Sequence, residues 1–158
     1  AYTENSPAYV ANMERLLLKW ETAKRLLPLA RIKNTHPQAR LGAVFYGSTT
    51  PSAYEAMALL AEQGIEINTM RLRAFPFQQE VLDFVHNHEL VFVIEQNRDG
   101  QMRTLLITEG GLPSQKLIPI ACYDGLPVAS RFLVRALQEA LAERGVRREQ
   151  LVVQGGGQ

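Results

Sequence analysis

The sequence predicts a three-layer α/β/α domain, with helices on both faces of a mostly parallel sheet. Three observations carry this expectation. Leu41 to Gly47 and Leu90 to Glu95 are continuous apolar runs of strand length, the pattern of strands buried on both faces. Segments with helical periodicity alternate with the strand-like runs, and the connections are only a few residues long. Parallel neighbours need a crossover, which a helix supplies, so strictly alternating strands and helices imply a parallel sheet.

The elements follow in order. Ser6-Pro7 reads as an N-cap and first-turn pair, and Met13, Leu16, Leu17, Trp20, Ala23 and Leu27 recur at helical spacing until Pro28. The opposite face carries Glu14, Lys19, Glu21, Lys24 and Arg25, so this amphipathic helix either lies on the core or joins the domain to a preceding one. Leu29 to Lys33 is a short edge-strand candidate, His36-Pro37 marks a loop, and Leu41 to Gly47 is the first buried strand. Thr50-Pro51 caps a helix with Ala53, Ala56, Met57, Leu60 and Ala61 on one face and Gly64 as its stop. Ile65 to Leu72 reads as an alternating strand closed by Pro76, and a helix is predicted from Phe77 to Asn87. After the strand Leu90 to Glu95, the turn Asn97-Arg98-Asp99-Gly100 feeds a helix from Gln101 to Ile107. Leu117 to Ala121 is the last strand. Ser130 caps a final helix to Arg144, with Phe132, Leu133, Ala136, Leu137, Ala140 and Leu141 inward.

Composition narrows the function. The 158 residues suit one domain, and 46% apolar with 21% charged residues is a globular balance. Lys plus Arg is 17 against 16 for Asp plus Glu, so a net charge of +1 offers no field for nucleic acid or an anionic membrane. The single cysteine, Cys122, makes neither a disulfide nor an iron–sulfur site by itself and fits a reducing cytoplasm. No apolar run approaches the roughly 18 residues of a membrane span, and a polar start at Ala1 to Pro7 is no signal peptide. The chain begins at Ala1 without Met, as expected after Met removal, after processing, or for a piece of a longer protein.

Ligands of parallel sheets bind beyond the carboxyl ends of the strands. The residues there are Gly47-Ser48-Thr49, Arg71-Leu72-Arg73, Glu95 to Gln101, and Tyr123-Asp124-Gly125. Gly47-Ser48-Thr49-Thr50 precedes a helix N-terminus, which favours an anion, or is simply a tight turn; it matches neither phosphate-binding glycine motif. Ser48 lacks the flanking glycines of a hydrolase elbow, since Tyr46 and Thr50 stand there. Arg71 and Arg73, two apart on a strand, project to one face and suit either a carboxylate or phosphate clamp or an interface. Glu95 leaves a buried strand and must accept hydrogen bonds from its surroundings. Cys122 at a strand end reads as a packed thiol, and His86 and His88 as structural side chains near a helix C-terminus.

Taken together, Tyr46-Gly47-Ser48-Thr49, Gly64-Ile65, Arg71-Leu72-Arg73 with Pro76-Phe77, Glu95-Gln96-Asn97-Arg98-Asp99-Gly100-Gln101 and Tyr123-Asp124-Gly125-Leu126-Pro127 have a characteristic order and spacing. The pattern resembles the C-terminal domain of the alpha subunit of 2-oxoacid:ferredoxin oxidoreductases, above all the 2-oxoglutarate type, over most of residues 1 to 145. The stretch Glu95 to Gln101 carries most of the likeness. Ala1-Tyr2-Thr3-Glu4 resembles the junction where the preceding thiamine-pyrimidine-binding domain of that family ends. Ala129 stands where relatives often place a capping Thr.

The resemblance implies a transketolase C-terminal-like domain: a five-stranded, mostly parallel sheet with one antiparallel edge strand, which Leu29 to Lys33 would supply. It implies an organisation of a junction and linking helix over 1–28, the domain proper over 29–153 and a flexible tail over 154–158. It further implies a cytoplasmic, multi-subunit oxidoreductase that uses thiamine diphosphate with Mg²⁺, an iron–sulfur cluster and coenzyme A to form an acyl-CoA. Its partners would be the remaining alpha-subunit domains, the beta subunit and ferredoxin, with oligomer formation in the complex. This chain lacks the family's cofactor signature: Asp99-Gly100 and Asp124-Gly125 follow Arg98 and Tyr123 rather than Gly, and no asparagine occurs after Asn97. The expected role is therefore a non-catalytic structural or assembly domain. The alternative is an anion or coenzyme A binding module built from Ser48, Thr49, Arg71, Arg73 and Gln101. A small flavodoxin-like enzyme is a third reading, by analogy of fold alone.

Overall fold

The computed structural model describes residues 2–146, so Ala1 and the expected tail over 154–158 lie outside the described residues. Helix α1 (Ser6–Leu26) comes first, then strands β1 (Arg31–Lys33) and β2 (Leu41–Phe45). A single 3-10 turn, Gly47–Thr49, leads into α2 (Thr50–Glu62) and β3 (Ile67–Arg71). The chain continues through α3 (Gln79–His86), β4 (Leu90–Glu95), α4 (Gln101–Thr108), β5 (Leu117–Ala121) and α5 (Ser130–Glu143). The sheet has five strands in the order β1-β3-β2-β4-β5, parallel except for β1, which pairs antiparallel with β3. This is the expected three-layer fold, with the edge strand near its expected place.

Side-chain alternation builds two cores. Leu41, Ala43 and Phe45 of β2, Phe92 and Ile94 of β4, and Ile118 and Ile120 of β5 face α2 and α5, where they meet Ala53, Ala56, Leu60, Leu133 and Leu137. Val44, Met70, Val91, Val93 and Leu117 face the other way, against Val81, Phe84 and Val85 of α3 and Leu106 of α4. Burial of each Val, Leu, Ile, Met or Phe among them contributes about 1.5–3 kcal/mol, so both layers stabilise the central strands.

Local chemistry moves several expected boundaries. The cap of α1 is Asn5, whose Oδ1 accepts from Ala8 N at 3.1 Å; Ser6 is already helical. At α2 the N-cap is Thr49, and the Thr50 hydroxyl instead donates to Gly47 O at 2.7 Å. Ser130 likewise sits inside α5, whose cap, Ala129, offers no side-chain bond. The strand expected over Ile65 to Leu72 is shorter because Ile65 N donates to Leu60 O, closing the C-terminal turn of α2 with Gly64 in the left-handed region at φ +76°. Rather than alternating, β3 is buried on both faces except at Arg71. Helix α3 begins at Gln79, two residues late, because Gln78 is extended and its amide donates to Lys24 O at 2.6 Å and Leu27 O at 3.0 Å.

Those two bonds and an edge-to-face contact of Trp20 with Phe75, centroids 5.3 Å apart, fasten the last turns of α1. The described residues bury no residue of α1. Val10, Met13, Leu16, Leu17 and Trp20 are all between 44% and 64% exposed, so the apolar face is bare. Of the two roles expected for this helix, lying on the core is not the one the described residues show.

Candidate functional site at the carboxyl ends of the strands

The chain leaves β2 for β3 on one side and returns for β4 on the other, so the topological switch point lies between β2 and β4. The loops after these strands, Tyr46 to Thr49 and Gln96 to Gly100, flank the crevice. Gln96 bridges it: its Nε2 donates to Ser48 Oγ at 3.3 Å and Thr49 Oγ1 at 3.0 Å. The Ser and Thr hydroxyls expected to face an anion thus already accept from the protein's own amide.

Glu95, 1% exposed, organises the β4 loop from below. Its Oε2 accepts from Asn97 Nδ2 at 2.6 Å and Met102 N at 2.8 Å, and its Oε1 from Arg103 N at 3.1 Å. The N-cap of α4 is Gly100, at φ +61°, where only glycine sits easily and no side chain can cap. A carboxylate from the preceding strand takes over that task, and its charge complements the helix N-terminus. Asn97 Oδ1 accepts in turn from Gln101 N at 3.2 Å. Half-buried Tyr46 stands beside this group; burial first, and the Glu95 charge second, hold its phenol pKa above the ordinary 10.0.

The other expected site residues disperse. Arg98 and Asp99 pair with each other at 2.6 Å on the exposed turn. Gly47, at φ +58°, starts the 3-10 turn. Arg71 ends β3, its Nε buried without a partner among the described residues. Arg73 lies past the strand and donates to Leu29 O at 3.4 Å, toward the β1 edge. Asp124 Oδ1 accepts from Leu126 N at 3.0 Å, an Asx turn, and lies 3.8 Å from Cys122 Sγ. Burial, followed by the Asp124 charge, pushes the Cys122 thiol pKa up, which keeps it protonated and packed.

Open space remains on the β5 side of the crevice. A cleft of about 420 Å³ is lined by Ser48, Gln96, Cys122, Tyr123, Gly125, Leu126 and Pro127. Of Ser48, Thr49, Arg71, Arg73 and Gln101, only Ser48 borders it. Its exposed rim is Tyr123 and Leu126, 64% and 67% accessible. Tyr46 was not among the strand-end residues expected to form the site; Gln96 lay within the Glu95 to Gln101 stretch, but its bonds to Ser48 and Thr49 were not expected. Position was the available signal for Gln96, since it directly follows a buried strand.

Among the described residues the donors do not gather into a site for the Mg²⁺ of thiamine enzymes. Among the described residues no three His, Cys, Asp or Glu side chains converge as metal ligands. Asp99 is paired with Arg98, and Asp124 Oδ1 accepts from Leu126 N. Among the described residues no helix is long and apolar enough to cross a membrane.

No protein-family model matches the chain, and no curated protein does. Solved structures do. The fold is similar to part of a 2-oxoglutarate:ferredoxin oxidoreductase from Magnetococcus marinus, solved with 2-oxoglutarate, coenzyme A and succinyl-CoA bound, at a TM-score of 0.75 and 24% identity. That match covers 87% of this chain and 24% of the other. It is also similar to a split-gene transketolase in an inactive beta4 tetramer, at a TM-score of 0.54 and 18% identity over 66% of this chain and 40% of that one. The chain thus spans well under half the length of either. At these identities the likeness establishes a transketolase-like α/β/α fold.

Proposed function

We propose that this chain is the C-terminal domain of the alpha subunit of a 2-oxoacid:ferredoxin oxidoreductase, of the 2-oxoglutarate type, and that it serves assembly rather than chemistry. The observation that carries the reading is the bare apolar face of α1, continuous with a domain whose strand-end loops are tied up by their own hydrogen bonds. Such a helix suits a junction that neighbouring domains cover, and such loops suit a rigid abutment. The fold's similarity to one quarter of a 2-oxoglutarate:ferredoxin oxidoreductase supports it, as does the Glu95 to Gln101 segment on which the sequence resemblance rests. In this reading thiamine diphosphate, Mg²⁺, the iron–sulfur cluster and coenzyme A are held by the other alpha-subunit domains and the beta subunit. Ferredoxin is the electron acceptor of the complex, in the cytoplasm.

The test compares the chain alone with a reconstituted complex, using 2-oxoglutarate, thiamine diphosphate, Mg²⁺, coenzyme A and a viologen acceptor. The chain alone gives no viologen reduction, and a complex lacking it fails to assemble. Turnover by the isolated chain refutes the proposal, as does full assembly and activity without it. A second reading, binding of coenzyme A or another anion, is favoured by the 420 Å³ cleft beside Ser48 and Gln96. Calorimetric titration with coenzyme A decides it: no heat at millimolar ligand ends that reading.

A further inference from the structure

A second cleft, of about 290 Å³, opens between the β1 edge and α2, away from the switch-point crevice. It is assembled from three separate stretches: Lys33, Thr35 and His36 after the edge strand, Tyr54, Met57, Ala58 and Ala61 along the helix, and Ile67 and Thr69 on the sheet floor. The floor holds an anomaly. Thr69 is only 4% exposed, yet its hydroxyl has no hydrogen-bond partner among the described residues. Buried hydroxyls are almost always paired, because leaving one unpaired sacrifices its hydration for nothing.

The rest of the cleft has a consistent chemistry. Lys33 Nζ sits 3.9 Å from the centroid of the Tyr54 ring, which fixes a cation at the mouth. No carboxylate is among the lining residues, and Glu66 lies 3.3 Å from the Nδ1 of His36 at the rim. The helix wall, Met57, Ala58 and Ala61, is apolar, and Ile67 extends it onto the floor. The rim is pre-formed: Asn68 accepts from His36 N at 3.2 Å and donates to His36 O at 3.0 Å, clamping the loop to β3. One cation at the mouth, an orphan hydroxyl on the floor and an apolar wall describe a slot for a singly charged acid with an apolar body. A phosphate would call for an arginine fork or a helix N-terminus, and this wall is the C-terminal half of α2.

We infer that this cleft binds a small organic monocarboxylate, with its oxygens between Lys33 and the Thr69 hydroxyl and its hydrocarbon part against Met57, Ala58 and Ala61. The site is independent of the assembly role proposed above. It is tested by NMR titration of the 158-residue chain with hexanoate, in parallel with hexanamide and inorganic phosphate. Hexanoate gives saturable shifts at Thr35, Ala58, Ala61 and Thr69, hexanamide binds at least about fivefold more weakly, and phosphate leaves these signals in place. Thr69→Val and Lys33→Met each weaken hexanoate about fivefold, and Thr69→Val leaves the urea midpoint unchanged or raises it, since it removes an unpaired hydroxyl. Equal binding of acid and amide overturns the inference. So do the absence of saturable shifts at tens of millimolar and unchanged affinity in both variants.

Discussion

The tightest constraint in the candidate site is the Glu95 carboxylate, and its removal has a cost that follows from its partners. Oε2 holds Asn97 Nδ2 and Met102 N, and Oε1 holds Arg103 N. In Glu95→Gln the amide oxygen keeps one side, and its NH₂ then meets a donor on the other. Losing one charge-assisted bond costs about 1.5–3 kcal/mol. With Oε kept toward Asn97 and Met102, the expected loss is about 2 kcal/mol. Glu95→Ala strands both backbone N–H groups of α4 under a side chain that excluded water, and should cost about 3–5 kcal/mol. Urea denaturation followed by circular dichroism reads both values, and amide exchange at Met102 and Arg103 reports whether α4 frays at its first turn. If Glu95→Gln stays within about 0.5 kcal/mol of the parent chain, the capping argument fails, and the burial of this carboxylate needs another explanation.

Three further outcomes are expected. Gly42→Ala places a methyl 2.8 Å from Phe84 Cε1 and 3.2 Å from His88 Cγ. His88 cannot yield, since its Nδ1 bonds Phe84 O at 2.6 Å and its Nε2 bonds Asn68 at 3.2 Å, so thermal unfolding should show a loss of about 1–3 kcal/mol. Cys122, with its thiol pKa raised above 9.0, should react with iodoacetamide at pH 8 more slowly than free cysteine, as mass spectrometry would record. Hydrogen bonding to Arg40 lowers the pKa of Glu89 from 4.5, so the stability it confers is present above that value and is lost as pH falls through the folded value. Comparison with Glu89→Gln across pH 3–6 should therefore show the two chains converging in acid, with salt reducing the gap above pH 5.

Much of the fold was legible because its strongest signals are local. The runs Leu90 to Glu95 and Leu117 to Ala121 matched β4 and β5 to the residue, since each is an almost wholly apolar run of strand length. Helix ends were less legible because their caps compete. Asn5 outbid Ser6, and the Thr49 hydroxyl was taken by Gln96, 47 residues away in sequence. The alternation read into β3 failed at Asn68 and Thr69, polar residues that the surrounding layers bury. For the candidate site, Glu95 was readable as a buried carboxylate in need of donors, but its donors were not, because Gly100 had first to turn the backbone back over it. The cleft at Thr69 left no trace in any single segment. Its walls come together through the antiparallel pairing of Lys33 with Thr69 and the packing of α2 over that edge.

Helix α1 is a cantilever. Its 21 residues extend roughly 30 Å, yet its fastening lies in the final turns, at Gln78 and at the Trp20–Phe75 contact. A displacement at the free end therefore acts through a long arm on a short one. The short arm ends on Phe75, which packs edge-to-face at 5.1 Å on Phe77, a residue of the second core. A load on the first turns of α1 would therefore be carried to the domain through Phe75 and Gln78, on either side of Pro76 and Phe77 and just ahead of α3.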